Sequence, residues 1–324
     1  VFRVKRRFLE NSELGFLYAG REGEGFSRVL TLNGILRVRD LGFRFAGAYT
    51  NKSKAQSDYG GKFKFAWITS DFAAGGMLQY MGEHFDVSQV GFYPWVGKKE
   101  FSLWGGPILH NKGFFKRMWL GFTGWWQKEF KEPHPEYSIS NHFGFNFVNN
   151  WGFHLSSETG KRYEEERWYS FWSAGFRMWS DESKPVAGGC GFRYNSQTYN
   201  YRREYLAPNG SGDLNLRWRV NPRLSLGVTV NNTTEFKPDG SVEKVSWISH
   251  PTLGWALGKD LYLRVWSEPN TDTHIHRLNL LFSWNFMPKS WVYLAFNESR
   301  DNTEGNWRVK DRIIVAKVRY LFLL

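Results

Sequence analysis

The chain is nearly free of cysteine. Cys190 is the only one in 324 residues, which excludes an internal disulfide framework; its place in the alternating stretch 186–194 marks it as a small buried residue. No run of 18 or more apolar residues exists, so no transmembrane helix is encoded. Helical periodicity, fixed-period repeats, low-complexity tracts and linkers are all missing. Their absence predicts one domain over 1–324 with no internal boundary. Acids are scarce relative to bases, 31 against 43, and the net charge is +12. That surplus suits an anion-attracting surface. The chain starts at Val1 with neither Met nor a signal peptide, so an exported protein of this kind is expected to have lost its signal or to carry it upstream.

What is present is a period of two that keeps restarting. Leu214, Leu216, Trp218 and Val220 share one parity; Asp213, Asn215, Arg217 and Arg219 share the other. After Asn221-Pro222 the alternation resumes with Leu224, Leu226, Val228 and Val230. Successive strand side chains point to opposite faces, so each such strand is apolar on one side and polar on the other. Aromatics make up 19% of the chain, with 17 Trp, yet mean hydropathy is negative. Thinly spread apolar residues fit a sheet with one greasy face better than a packed soluble core. About nineteen strands are predicted. Short connections such as Arg39-Asp40, Asn149-Asn150 and Asn221-Pro222 alternate with longer polar ones: 22–26, 51–60, 83–98, 128–137, 158–166, 201–210, 232–242 and 299–309. Short turns on one rim and long loops on the other predict an all-β transmembrane antiparallel up-and-down β-barrel of about 18–20 strands, its short turns periplasmic, its long loops extracellular and its place the bacterial outer membrane.

Charge fixes which parity faces lipid, since a lysine or arginine turned to hydrocarbon at the midplane costs about 2–4 kcal/mol. The lipid parity holds Leu14, Phe16, Tyr18, Phe43, Phe63, Trp67, Phe122, Trp126, Leu280, Phe282 and Trp284. The lumen parity holds Arg44, Lys62, Lys64, Arg117, Arg217, Arg219, Arg277 and Arg319, and a ring of cations favours anions. Trp125, Trp126, Trp151, Trp168, Trp179 and Trp291 are expected at the membrane interfaces. Ile314, Val318, Tyr320 and Phe322 alternate along the last strand and are similar to the C-terminal insertion signal of outer-membrane barrels. An odd strand count sits badly with a bacterial barrel, which normally has an even number; either one of the nineteen strands is misassigned or at least one further strand precedes Val1.

Four stretches carry a resemblance to a known family: Val4 to Phe8 with Asn11 to Gly15; Phe85-Asp86 with Val90-Gly91-Phe92; Trp284 to Phe286 with Pro288 to Ser290 and Tyr293-Leu294; and Lys317 to Phe322. They resemble the C-terminal barrel domain, of unknown function, of large bacterial outer-membrane proteins that carry an N-terminal family-9-like carbohydrate-binding module. Where that family often has a basic residue after the Gly-Phe pair, this chain has Trp95 in the vicinity. The resemblance implies an outer-membrane barrel, truncated at its N-terminus. It implies no transport substrate and no catalytic residue.

Enzyme signatures are weak. His142 and His154 lie near Ser140 and Ser156, but no Gly-x-Ser-x-Gly stands beside either pair. His274 and His276 would share a strand face beside Asp272, and Glu164 to Glu166 form an acid run; wall and solvated roles suit them better than a metal site. Gly23 and Gly25 precede no helix, so they form no phosphate loop. The basic residues and the aromatics fall on opposite parities, which disfavours nucleic acid. The expectation is therefore no enzyme, no cofactor and no metal. The preferred reading is a porin-like channel or membrane platform with an anion-favouring lumen, in contact with outer-membrane lipid and lipopolysaccharide. The alternative is a surface component of an outer-membrane assembly. In it Phe92, Tyr93, Trp95, Tyr199, Tyr201 and Tyr205 stack on a glycan or a protein partner, and the barrel is only an anchor.

Overall fold

The computed structural model describes residues 1–23, 25–53, 56–88 and 95–322. The described residues form nineteen β-strands and no helix. They fall into two compact units, one of residues 1–145 and 156–172, the other of residues 146–155 and 173–324. In the first, β1 (Phe2–Phe8), β2 (Ser12–Arg21), β3 (Ser27–Val38), β4 (Leu41–Lys52), β5 (Asp58–Ile68), β6 (Phe72–Met81), β7 (Lys98–Lys112) and β8 (Phe115–Glu129) pair antiparallel in chain order. β9 (Glu136–Phe147), β10 (Gly152–Glu164) and β11 (Arg167–Trp179) follow. In the second unit, antiparallel pairing runs from β11 through β12 (Val186–Asn200), β13 (Tyr205–Asn221), β14 (Leu224–Phe236), β15 (Val242–Ala256), β16 (Leu261–Asn270), β17 (Ile275–Met287) and β18 (Ser290–Asp301) to β19 (Arg308–Arg319).

The apolar parity is the exposed one. On β13 Leu214, Leu216, Trp218 and Val220 are 50%, 47%, 48% and 39% exposed, while on the polar parity Asp213 and Asn215 are half-buried and Arg217 and Arg219, near the short turn, are exposed. Tyr59, Phe63 and Trp67 on β5 are likewise exposed. Phe16, Phe43, Leu226 and Phe282, candidates for the core of any soluble fold, are each only half-buried. A water-soluble sheet would hide this face; a sheet in hydrocarbon presents it.

Strands run longer, and loops shorter, than the alternation predicts. The expected loop 201–210 shrinks to 201–204 because β13 begins at Tyr205, and 158–166 shrinks to Glu165 and Glu166. Alternation ends where hydrocarbon contact would end, but backbone pairing continues beyond it. Pro208 shows how. It has no N–H for the ladder, and it lies opposite the bulge in β12, where the register jumps from Asn195↔Asn209 to Thr198↔Ala207. Tight turns sit at left-handed residues: Leu9, Arg39, Asn111, Asn150 and Lys289 all have positive φ. At Asn221 the side-chain Oδ1 accepts from the amides of Arg223 and Leu224, at 2.8 and 2.9 Å.

Several single-residue expectations change. Trp125 lies on the polar face, where its indole donates to Glu100 Oε1 at 3.2 Å, so it is no interfacial anchor. Trp291 shares a face with Tyr293 and stacks on it at 5.8 Å, opposite Arg319. Cys190 is half-buried and opposite Leu214, on the apolar face. Of the other expected tryptophans, Trp126, Trp151 and Trp168 are exposed near strand ends, and Trp67, Trp218, Trp255 and Trp284 are likewise exposed at the short-turn ends of β5, β13, β15 and β17.

Candidate functional site

The polar face of the first unit carries its cations in register. Arg44 on β4 stands directly opposite Lys64 on β5, and Ala46 opposite Lys62. Ile35 precedes Arg44 in the same row, and Met77 and Ser102 follow Lys64. The turn between β3 and β4 adds Arg39 and Asp40. Together with Arg37 these residues line a recess of about 630 Å³. Among the described residues Arg44 and Lys64 make no ion pair. Like charges directly opposite on a sheet destabilise it, so the arrangement is ready for an anion. One row toward the loop rim, Lys62, Gln79, Glu100 and Gln127 follow one another across β5 to β8. Here charge is balanced: Lys98 Nζ lies 3.4 Å from Glu100 Oε2 and 3.3 Å from Gln127 Oε1. Arg117 lies on β8 opposite His110, exposed.

The second unit has a recess of about 940 Å³ on its polar face, lined by Arg177, Arg217, Asn215, Asn231, His250 and Trp266 among others. Glycine makes it. Arg177 reaches past Gly191 to Asp213, 3.2 Å away, and a Cβ at Gly191 would sit 2.6 Å from Asp213 Oδ1. The cations here are engaged. Arg217 donates to the carbonyl of Glu182 at 2.7 Å, and Arg219 to the carbonyls of Glu182, Ser183 and Lys184, so both arginines cap the 180–185 turn. Arg277 pairs with Glu268, which also receives His250 at 3.2 Å. Arg319, opposite Trp291, has no ion pair among the described residues. Of the seven cations expected to attract anions, Lys64 is the one that shares the unpaired recess; Arg217, Arg219 and Arg277 are held by protein acceptors.

At the loop rim, Phe92 and Tyr93 lie outside the described residues. Trp95 and Tyr201 are exposed, with Lys98 Nζ 5.4 Å from the Trp95 ring centre. Tyr199 is only 8% exposed, its ring edge-on to Tyr201 at 5.1 Å, which closes its face to a sugar. Tyr205 begins β13 rather than lying in a loop. Asp272 gathers Arg202 at 3.0 Å and Lys244 at 2.5 Å, and these hydrogen bonds hold its carboxyl well below the usual carboxylate range. In the first unit Lys52 pairs with Asp86, which this bond and the Ser88 amide pull down to about 2. Glu132 moves the other way. Desolvation, then repulsion from Glu129 and Glu136, pushes it up to about 7.

One serine–histidine contact escaped the sequence reading. Ser267 Oγ and His276 Nε2 are 2.7 Å apart, but on neighbouring strands and nine residues apart, so no local motif announces them. The register places both on the apolar face, and no carboxylate orients the imidazole among the described residues. His274 lies in the turn before β17, with positive φ, and so does not share a strand face with His276. Glu164 ends β10, while Glu165 and Glu166 form its left-handed turn. Among the described residues no three metal-ligating side chains converge.

No family model matches the sequence, and no curated protein does. Solved structures do match the fold. The ferric preacinetobactin receptor BauA of Acinetobacter baumannii superposes with a TM-score of 0.51 at 9% identity, over 92% of this chain and 66% of that one. The ferric enterobactin receptor PfeA of Pseudomonas aeruginosa gives 0.55 at 10% identity, over 96% and 68%. The chain spans about two thirds of the length of these receptors. At such identities the likeness speaks for architecture alone. The chain has the antiparallel up-and-down β-barrel fold, the fold of receptors of the bacterial outer membrane.

Proposed function

We propose that this protein is an outer-membrane β-barrel of transport type whose polar inner face binds or passes anionic solutes. One observation carries the reading: Arg44 opposes Lys64 without a carboxylate, in a recess that also holds Arg37 and Arg39 against the single acid Asp40. A fold that only anchored something else would gain stability by neutralising that pair. The matched receptors are named for ferric chelates; for this chain the reading is the broader class of anions. The resemblance to the barrel domain of the carbohydrate-binding-module family accords with it. A surface-binding role rests on the exposure of Trp95 and Tyr201 at the loop rim.

Reversal potentials in planar bilayers under a KCl gradient test the reading. Chloride preference is expected, and the double variant Arg44→Gln with Lys64→Gln should move the potential toward zero. Equal permeability in the parent protein removes the anion claim. Binding of a soluble glycan without any conductance favours the surface-binding role.

A further inference from the structure

The apolar face of the first unit is not smooth. Gly47 on β4 and Gly61 on β5 are directly opposite. Phe45 and Phe63 are opposite each other on one side of them, and Tyr49 and Tyr59 on the other. Two glycines between two aromatic rows leave a furrow. It measures about 980 Å³ and extends from Leu30 and Leu32 to Leu78, Phe101 and Trp126. That lies at the upper end of the range of about 300–1,000 Å³ for small-molecule clefts. Its floor is open: a Cβ at Gly47 would meet nothing nearer than 4.0 Å, and one at Gly61 nothing nearer than 3.4 Å. Most of the wall, including Tyr49, Tyr59, Phe63, Leu78 and Phe101, is exposed.

The furrow has a charged end. Its row continues from Gly61 through Tyr80 on β6 to Lys99 on β7, and Lys99 is directly opposite Lys128 on β8. Both lysines therefore share the apolar face. They lie beside the 82–97 and 130–135 connections, at the loop rim. Lys99 is exposed, and its ammonium stands 5.4 Å from the Phe130 ring centre. Lys128 donates to the backbone carbonyl of Glu132. Neither makes an ion pair with a carboxylate among the described residues. Two lysines directly opposite one another at the end of a hydrocarbon-lined furrow complement a phosphate joined to acyl chains.

We infer that this furrow is a binding site for lipopolysaccharide, with an acyl chain lying over Gly47 and Gly61 and a glycolipid phosphate between Lys99 and Lys128. This rests on the outer-membrane reading: the face must meet lipid, and the loop rim must meet the outer leaflet, where acylated sugar phosphates are found. A protein partner would be expected to bring carboxylates and its own side chains to fill the furrow; a lipid supplies both the flexible chain and the phosphate.

The test uses the whole chain folded in detergent. Insertion into phospholipid vesicles, read by protease protection, is measured first; failure there removes the membrane reading itself. Native mass spectrometry then counts purified lipopolysaccharide or phosphatidylglycerol retained per barrel. The parent protein should retain lipopolysaccharide in preference. Gly61→Trp, which fills the furrow from an open position, and Lys99→Glu with Lys128→Glu should each reduce retention at least tenfold while insertion persists. Lys116→Glu, on another part of β8, should leave it unchanged. Retention unaffected by either furrow variant, or equal retention of the two lipids by the parent, overturns the assignment.

Discussion

At the scale of single residues, glycine position decides more than glycine count. Gly106 and Gly47 both lie on strands of the first unit and are indistinguishable in the sequence. A Cβ at Gly106 would come within 1.8 Å of the Leu120 carbonyl oxygen, a backbone atom that cannot rotate away. One at Gly47 would enter open space. Gly106→Ala is therefore expected to destabilise by about 1–3 kcal/mol, the usual cost of overpacking. Gly47→Ala should be neutral or slightly stabilising, since glycine weakens a strand. Urea unfolding in lipid vesicles compares the two, and equal effects would refute the distinction. The loop carboxyls carry a pH dependence of known sign. Glu132 is protonated more readily in the folded loop than in an unfolded chain, so the fold binds the extra proton between the ordinary carboxylate value and about 7. Anchoring of the 130–135 loop should weaken as pH rises through that window, and Glu132→Gln should abolish the change. Asp86 is shifted down to about 2, so its contribution is present at neutral pH and lost only on acidification below its usual value. Hydrogen exchange of the two loops at pH 5 and pH 8 separates these behaviours: protection of the 130–135 loop should change between the two, and that around Asp86 should not.

At the scale of elements, alternation made the membrane-facing middle of each strand legible and little beyond it. Leu214 to Val220 declares itself because apolar and charged residues strictly alternate. Tyr205 to Gly210 does not, because the strand there is held by pairing with β12, and from Asn209 with β14 as well, without needing a greasy face. Loop sorting was inflated for the same reason, most of all at 158–166 and 201–210. Side-chain partners were less legible still. Nothing local in the sequence says that Arg217 and Arg219 cap the 180–185 turn, or that Arg44 and Lys64 meet, because each depends on register between strands. Turn residues were only partly readable: Asn221 was, whereas Leu9 and Arg39 hold left-handed backbone with side chains that disfavour it. Replacing Arg39 by glycine should stabilise its hairpin by about 1 kcal/mol, the approximate cost of a left-handed non-glycine residue. An unchanged denaturation midpoint would show that Arg39 is compensated by contacts within the recess.

At the scale of the whole molecule, the greasy rows of the strands span a band of membrane thickness. The exposed rows begin and end with aromatics. On β5, Tyr59 and Trp67 are eight residues apart, as are Trp247 and Trp255 on β15. At about 3.4 Å per residue that is about 27 Å along a strand. A tilt of about 40° reduces it to about 21 Å, near the ~25 Å apolar band of outer-membrane barrels. The surplus of twelve positive charges then has one place to go, the opposite face and the rims.

The most direct test places a spin label at either of two adjacent positions, Phe63→Cys or Lys64→Cys, in a Cys190→Ser background reconstituted into lipid vesicles. Collision with dissolved oxygen reports hydrocarbon, and collision with a water-soluble nickel chelate reports water. The label at position 63 should favour oxygen and the one at position 64 the chelate, with the preference reversing again at Phe65→Cys. Chelate access at all three positions, or the opposite order, would contradict the assignment of the exposed apolar face to lipid.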